Sequence, residues 1–119
     1  MDKILVLDDE KNIRLTVKRC LESPEVLIED AINGEEALIK LSESVFDLLL
    51  LDLKLPGMDG MEILRQVRKL YPDMKVIIIS AHGSIQTAVE AMKEGAVDFL
   101  EKPFAPNDIR QLVFKALAK

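Results

Sequence analysis

The chain has 119 residues, 49% hydrophobic and 31% charged, which fits one domain spanning 1–119 with a core of its own. With 16 basic against 21 acidic residues it carries a net charge of −5, which argues against direct binding of nucleic acid, where a basic stripe is needed. No apolar stretch approaches the roughly 20 residues of a membrane span. Met1-Asp2-Lys3 runs straight into a strand-like segment, so no signal peptide is expected. A single cysteine, Cys20, forms no internal disulfide, which suits a reducing cytoplasm.

Strand-like and helix-like patterns alternate five times. Short apolar runs predict strands near 3–7, 26–31, 47–51, 75–80 and 97–100, and amphipathic stretches predict helices near 10–22, 34–44, 60–70, 84–94 and 106–118. In the first helix Cys20 joins Val17 and Leu21 on the apolar side, while Lys11, Arg14, Lys18 and Arg19 read as a solvated face. The second strand is the most polar, and its tail Glu29-Asp30 suits an edge position. Asn33 and Asp59 are side-chain caps, each followed three residues later by a glutamate, and Pro106 stands at a first helical position. Pro24 and Pro72 mark helix ends, and Gly95 suits a left-handed cap.

Strict β-α alternation with short connections predicts an α/β fold, a doubly wound five-stranded parallel sheet with helices on both faces. Right-handed crossovers favour the flavodoxin-like (βα)5 order 2-1-3-4-5, which sets the first and third strands side by side.

The polar residues that end the apolar runs then gather on one edge. Asp8 and Asp9 follow Ile4 through Leu7, Asp52 follows Leu48 through Leu51, Ser80 follows Val76 through Ile79, and Lys102-Pro103 follows Val97 through Leu100. Ligands of open α/β sheets bind at this C-terminal edge. Three carboxylates packed together repel one another unless a cation joins them, and oxygen ligands on an open surface suit Mg²⁺, with Mn²⁺ as the alternative ion. Asp9 and Asp52 would be ligands, with Asp8 acting directly or through water. Asp52 could also attack phosphorus, with Lys102 and Ser80 on the phosphoryl oxygens.

The run Ile4 through Glu10, Asp47 through Asp52 with Leu55 through Gly60, Ser80-Ala81, and Gly95-Ala96 through Phe104 together resemble the receiver domains of response regulators, CheY-like phosphoacceptors of two-component signalling. The likeness spans essentially the whole chain. It implies phosphorylation of Asp52, an acidic pair Asp8 and Asp9 for Mg²⁺, and the backbone carbonyl of Lys54 as a further ligand. Ser80 and Lys102 fill the hydroxyl and lysine positions, and the Lys102-Pro103 bond is expected to be cis. Phe99 falls where the family has its switch aromatic. Lys54 and His82 fall where side chains modulate phosphoryl lifetime. The implied partner is a sensor histidine kinase or phosphotransfer protein, and the implied activity is self-phosphorylation and self-hydrolysis without metabolite turnover.

The segment from His82 through Phe104 resembles receivers of the NtrC class, which work in transcription regulation ahead of further domains. The resemblance implies output through an attached domain or a downstream protein, and a homodimer through the 84–118 face is expected. Three other readings remain. One is a receiver-like binding module that works without phosphorylation. A haloacid-dehalogenase-like phosphatase would want an Asp where Lys54 stands. A flavodoxin-like cofactor binder would want a Gly- or hydroxyl-rich loop in place of Asp8-Asp9-Glu10-Lys11.

Overall fold

Runs of β-branched residues and leucine with few polar interruptions can be buried only between two layers, and the molecule is built that way. The computed structural model describes residues 1–55, 57–81 and 85–118. Its elements in chain order are β1 (Asp2–Leu7), α1 (Lys11–Leu21), β2 (Val26–Ala31), α2 (Gly34–Glu43), β3 (Leu48–Asp52), β4 (Lys54–Leu55), β5 (Met58–Asp59), α3 (Gly60–Leu70), β6 (Lys75–Ser80), α4 (Ile85–Lys93), β7 (Asp98–Glu101) and α5 (Pro106–Leu117). The five long strands form a parallel sheet in the order β2-β1-β3-β6-β7. With the two-residue strands set aside, this is the predicted 2-1-3-4-5 arrangement, and β2 lies at an edge.

Alternate residues of each strand point to opposite layers. Leu5, Leu7, Leu49, Leu51, Val76 and Ile78 pack with Ala37 and Leu41 of α2, Ile63, Leu64 and Val67 of α3, and Ala91 of α4. Ile4, Val6, Leu48, Leu50 and Ile77 pack with Val17 and Leu21 of α1 and with Ile109 and Val113 of α5. Cys20 sits half-buried beside this second cluster, a packing residue as its helical position implied.

The caps follow their chemistry. Asn33 Oδ1 accepts from Glu36 N–H at 2.8 Å, and Asp59 Oδ1 accepts from Met61 N–H at 3.0 Å. At α5, Pro106 opens the helix and Asp108 accepts from the Ala105 N–H at 3.0 Å. Gly95 has φ +106°, the left-handed geometry proposed for it.

Two details differ from the pattern reading. The third and last of the five sheet strands are each displaced by one residue, to Leu48–Asp52 and Asp98–Glu101. An antiparallel hairpin, Lys54–Leu55 against Met58–Asp59, fills the β3–α3 connection. Strands of two residues are too short to show a period of two. The expected start of the fourth helix at Ser84 lies outside the described residues; helix is described from Ile85.

Candidate functional site

Register brings the acidic groups together. β1 pairs with β3 through Leu7 and Leu51, so the next residue of each chain segment, Asp8 and Asp52, emerges side by side. β6 ends at Ser80 next to β7, and the Lys102 N–H donates to the Ser80 carbonyl at 2.8 Å, which carries the lysine back over the sheet edge. The Lys102-Pro103 peptide is cis, as expected.

These groups are nearly sealed from solvent. Asp8 is 0% exposed, Asp52 3% and Ser80 2%, and the Lys102 side chain retains 7%. Lys102 Nζ lies 2.8 Å from Asp8 Oδ2, 3.2 Å from Asp52 Oδ2 and 3.5 Å from Glu10 Oε1. The other oxygens are held by backbone donors: Glu10 N–H to Asp8 Oδ1 at 2.9 Å, and Lys54 N–H to Asp52 Oδ1 at 3.0 Å. One ammonium thus bridges two buried carboxylates.

Ionisation follows from that geometry. Burial raises the Asp8 carboxyl above its ordinary value, and the Asp52 charge adds to the rise, against Lys102 and the Glu10 N–H, which lower it. For Lys102 burial acts to lower the ammonium's value, yet Asp8 and then Asp52 outweigh it and the net shift is upward. The lysine stays charged through the neutral range.

A cation has a place here. Oxygens of Asp8, Asp9 and Glu10 come within 4.8 Å of one another, Asp8 buried and the other two exposed. Asp8 Oδ2 is buried with Lys102 close by as an ion-pair partner but without a well-directed hydrogen-bond donor among the described residues. A small hard cation suits such an all-oxygen set with one buried, under-satisfied carboxylate. Asp52 lies outside this close group, linked to Asp8 through Lys102. Glu10, which the pattern reading did not single out, lies within it; its position directly after Asp8-Asp9 was the available signal.

Other sequence candidates fall as follows. Lys54 holds Asp52 by its N–H while its side chain is exposed on β4. Phe99 on β7 is half-buried against the α2–α3–α4 layer, opposite Ile78. His82 lies outside the described residues. Arg14 is the correction. It is no solvated helix residue, because its side chain is only 12% exposed, Nη1 donates to the Asp8 carbonyl at 2.9 Å and Nε to Asp30 Oδ2 at 3.1 Å. Helical spacing alone could not separate it from Lys11 or Arg19.

Residues 4–114 match the Response regulator receiver domain family. The chain belongs to this family. It is 41% identical over 97% of its length to the alginate biosynthesis transcriptional regulatory protein AlgB of Pseudomonas aeruginosa, covering 26% of that protein. It is 36% identical, again over 97%, to the DNA-binding transcriptional regulator NtrC of Salmonella typhimurium, covering 24% of it. Among solved structures, NtrX from Brucella abortus superposes with a TM-score of 0.91 at 37% identity, over 98% of this chain and 27% of that one. A CheY-like receiver domain protein from Methanospirillum hungatei gives 0.91 at 33% identity, over 97% and 92%. This is a receiver domain of the NtrC class, and it spans about a quarter of the curated regulators named here. No helix among the described residues is long and apolar enough to cross a membrane.

Proposed function

We propose that this receiver accepts a phosphoryl group on Asp52 from a phosphohistidine of a sensor kinase or phosphotransfer protein, or from a small acyl phosphate, with Mg²⁺ held at the acidic edge. The observation that carries the reading is the Lys102 ammonium set between the buried carboxylates of Asp8 and Asp52. Lys54 N–H occupies Asp52 Oδ1, which leaves Oδ2, the oxygen beside Lys102, to attack phosphorus. A P–O bond to Asp52 forms as the donor's P–N bond breaks, and the imidazole takes the electron pair. With acetyl phosphate, acetate leaves instead. Hydrolysis later returns phosphate and the free carboxylate.

The chain's own residues align and neutralise, which is most of what phosphoryl transfer requires. Asp8 and Asp9 would hold the ion, together with the Lys54 carbonyl, and Glu10 lies close enough to join them through water. Bound there, Mg²⁺ supplies charge neutralisation for the incoming phosphoryl oxygens. Lys102 would pair with one of those oxygens and Ser80 would donate to another. A cleft of about 300 Å³, lined by Lys54 and Ser80 and by Thr87 and Glu90 of α4, gives access beside them. By the family resemblance, Lys54 and His82 would modulate phosphoryl lifetime.

Output would run through the 84–118 face to an attached domain, a downstream protein or a second copy. Ser80 and Phe99 sit on the paired strands β6 and β7, and only Ala91 of α4 is buried. Movement of Ser80 toward a phosphoryl group would let Phe99 turn further inward and shift α4. The same Phe99 rotamers with and without a phosphoryl mimic, read by NMR, would disprove that coupling.

The test of the acceptor is intact mass after incubation with acetyl phosphate and Mg²⁺. We expect a labile gain of one phosphoryl group that disappears with EDTA or in Asp52→Asn. Failure with both acetyl phosphate and cognate kinases would leave a binding module that works without phosphorylation.

A further inference from the structure

Asp8 is held at more points than a strand-end residue needs. Its N–H donates to the Ala31 carbonyl of β2 at 3.2 Å, and its Oδ1 accepts from the Glu10 N–H. Its carbonyl, at the start of the peptide leading to Asp9, accepts from Arg14 Nη1 at 2.9 Å. Arg14 stands one turn into α1, its own N–H bonded to the Glu10 carbonyl at 3.2 Å. The guanidinium is aimed by a second acceptor, Asp30 Oδ2 at 3.1 Å on the edge strand, and Lys18 fixes the other oxygen of that carboxylate at 3.3 Å. A planar fork with two separately directed N–H groups spans both acceptors, which an ammonium on a flexible stem does not do.

From this geometry we infer that Arg14 is a positioning residue for the divalent-cation site, a strut from Asp30 that sets the Asp8–Asp9 peptide and so the direction of both carboxylates. The inference rests on the Mg²⁺ reading above. Its physical basis is the rigidity of the peptide unit: a fixed carbonyl fixes the plane that leads to the Asp9 Cα. Asp9 is exposed, so its approach to the ion depends on that plane rather than on surrounding packing.

The sign of the effect separates this role from plain electrostatics. Arg14 is a positive charge near a cation site, so its removal by charge alone would tighten Mg²⁺ binding. Loss of a strut would weaken it. Groups that orient metal ligands from behind are worth about 10- to 100-fold in affinity, and we take the low end because Arg14 reaches Asp8 through its backbone carbonyl.

The experiment is a Mg²⁺ titration of the full 119-residue chain, followed by the amide NMR shifts of Asp8 through Glu10, for the parent, Arg14→Ala and Arg14→Lys. Thermal melts accompany it, and Arg14→Lys serves as the reading if the alanine variant does not fold. We expect both variants to bind Mg²⁺ about 10-fold more weakly. Labelling by acetyl phosphate should then need correspondingly more Mg²⁺ while reaching the parent rate at saturation. Equal or tighter binding in Arg14→Ala, or parent affinity in Arg14→Lys, would overturn the strut and leave the Mg²⁺ reading standing. A parent chain that binds no Mg²⁺ would overturn both.

Discussion

Replacing Lys102 by Met keeps a long side chain in the site but removes the one ammonium between two buried carboxylates. Asp8 Oδ2 and Asp52 Oδ2 lie 2.8 and 3.2 Å from Lys102 Nζ, and at an effective dielectric of about 20 an ion pair near 3 Å is worth about 5 kcal/mol before desolvation is charged against it. Breaking a buried pair costs about 3–5 kcal/mol. The variant has an escape, because one proton can replace the lost cation. Asp8 already has its carboxyl raised from the ordinary 3.8, and without Lys102 it rises further. Protonating a carboxyl of the ordinary value, 3.8, near pH 7 costs about 1.4 kcal/mol per unit over roughly three units, and relative to the unfolded chain this limits the electrostatic loss to about 4 kcal/mol.

The limit moves with pH, and the direction is fixed. In the variant the folded state binds the extra proton, so stability falls as pH rises between the ordinary carboxyl value and the raised one. The Lys102 contribution in the parent is fully present below 10.5 and is lost only as pH climbs through the higher folded value. The difference between parent and variant should therefore be about 4 kcal/mol near pH 7 and about 2 kcal/mol near pH 5. Urea unfolding followed by circular dichroism suits the measurement, since the chain has no tryptophan. EDTA must be present, because Mg²⁺ would supply the missing cation and hide part of the loss. An equal loss at both pH values, or less than about 1 kcal/mol near neutrality, would refute the bridge as a determinant of stability.

Gly60 opens α3 with its N–H on the Leu53 carbonyl at 3.2 Å, and a methyl group there would run into the Leu53 backbone just after Asp52. Gly60→Ala should cost about 2–3 kcal/mol in urea unfolding, as overpacking against a fixed neighbour does; a loss below about 0.5 kcal/mol would show that the connection yields freely. Asp30 offers a pH test. Burial is the largest single influence and raises its carboxyl, but Lys18 and Arg14 together hold it below 3.8. Its contribution is then present above that value and lost as pH falls through the lower folded one. Asp30→Asn should lose about 1 kcal/mol or less near pH 7, for a partly exposed pair, and this deficit should vanish in acid. A deficit that persists below about pH 3 would assign it to packing instead.

What could be read from the chain, and what could not, follows from the direction in which each interaction runs. A parallel strand covered on both faces tolerates polar residues only at its ends, so the runs before Asp8, Asp52 and Ser80 locate the strands and the candidate site together. The edge position of β2 was visible in Glu29 and Asp30 for the same reason. Caps at Asn33, Asp59 and Gly95 were visible because they satisfy local backbone groups within a few residues. Sideways contacts leave no such mark. Arg14 shares its helix and its residue class with Lys11, Lys18 and Arg19, and only the approach of β2 and the end of β1 turns it inward. The hairpin at Lys54–Leu55 and Met58–Asp59 is equally silent, being shorter than one full alternation. A reading by period therefore finds the residues that end elements and overlooks those that brace them from the next element. For this receiver the braces, Arg14 above all, deserve the first mutations outside the acidic edge itself.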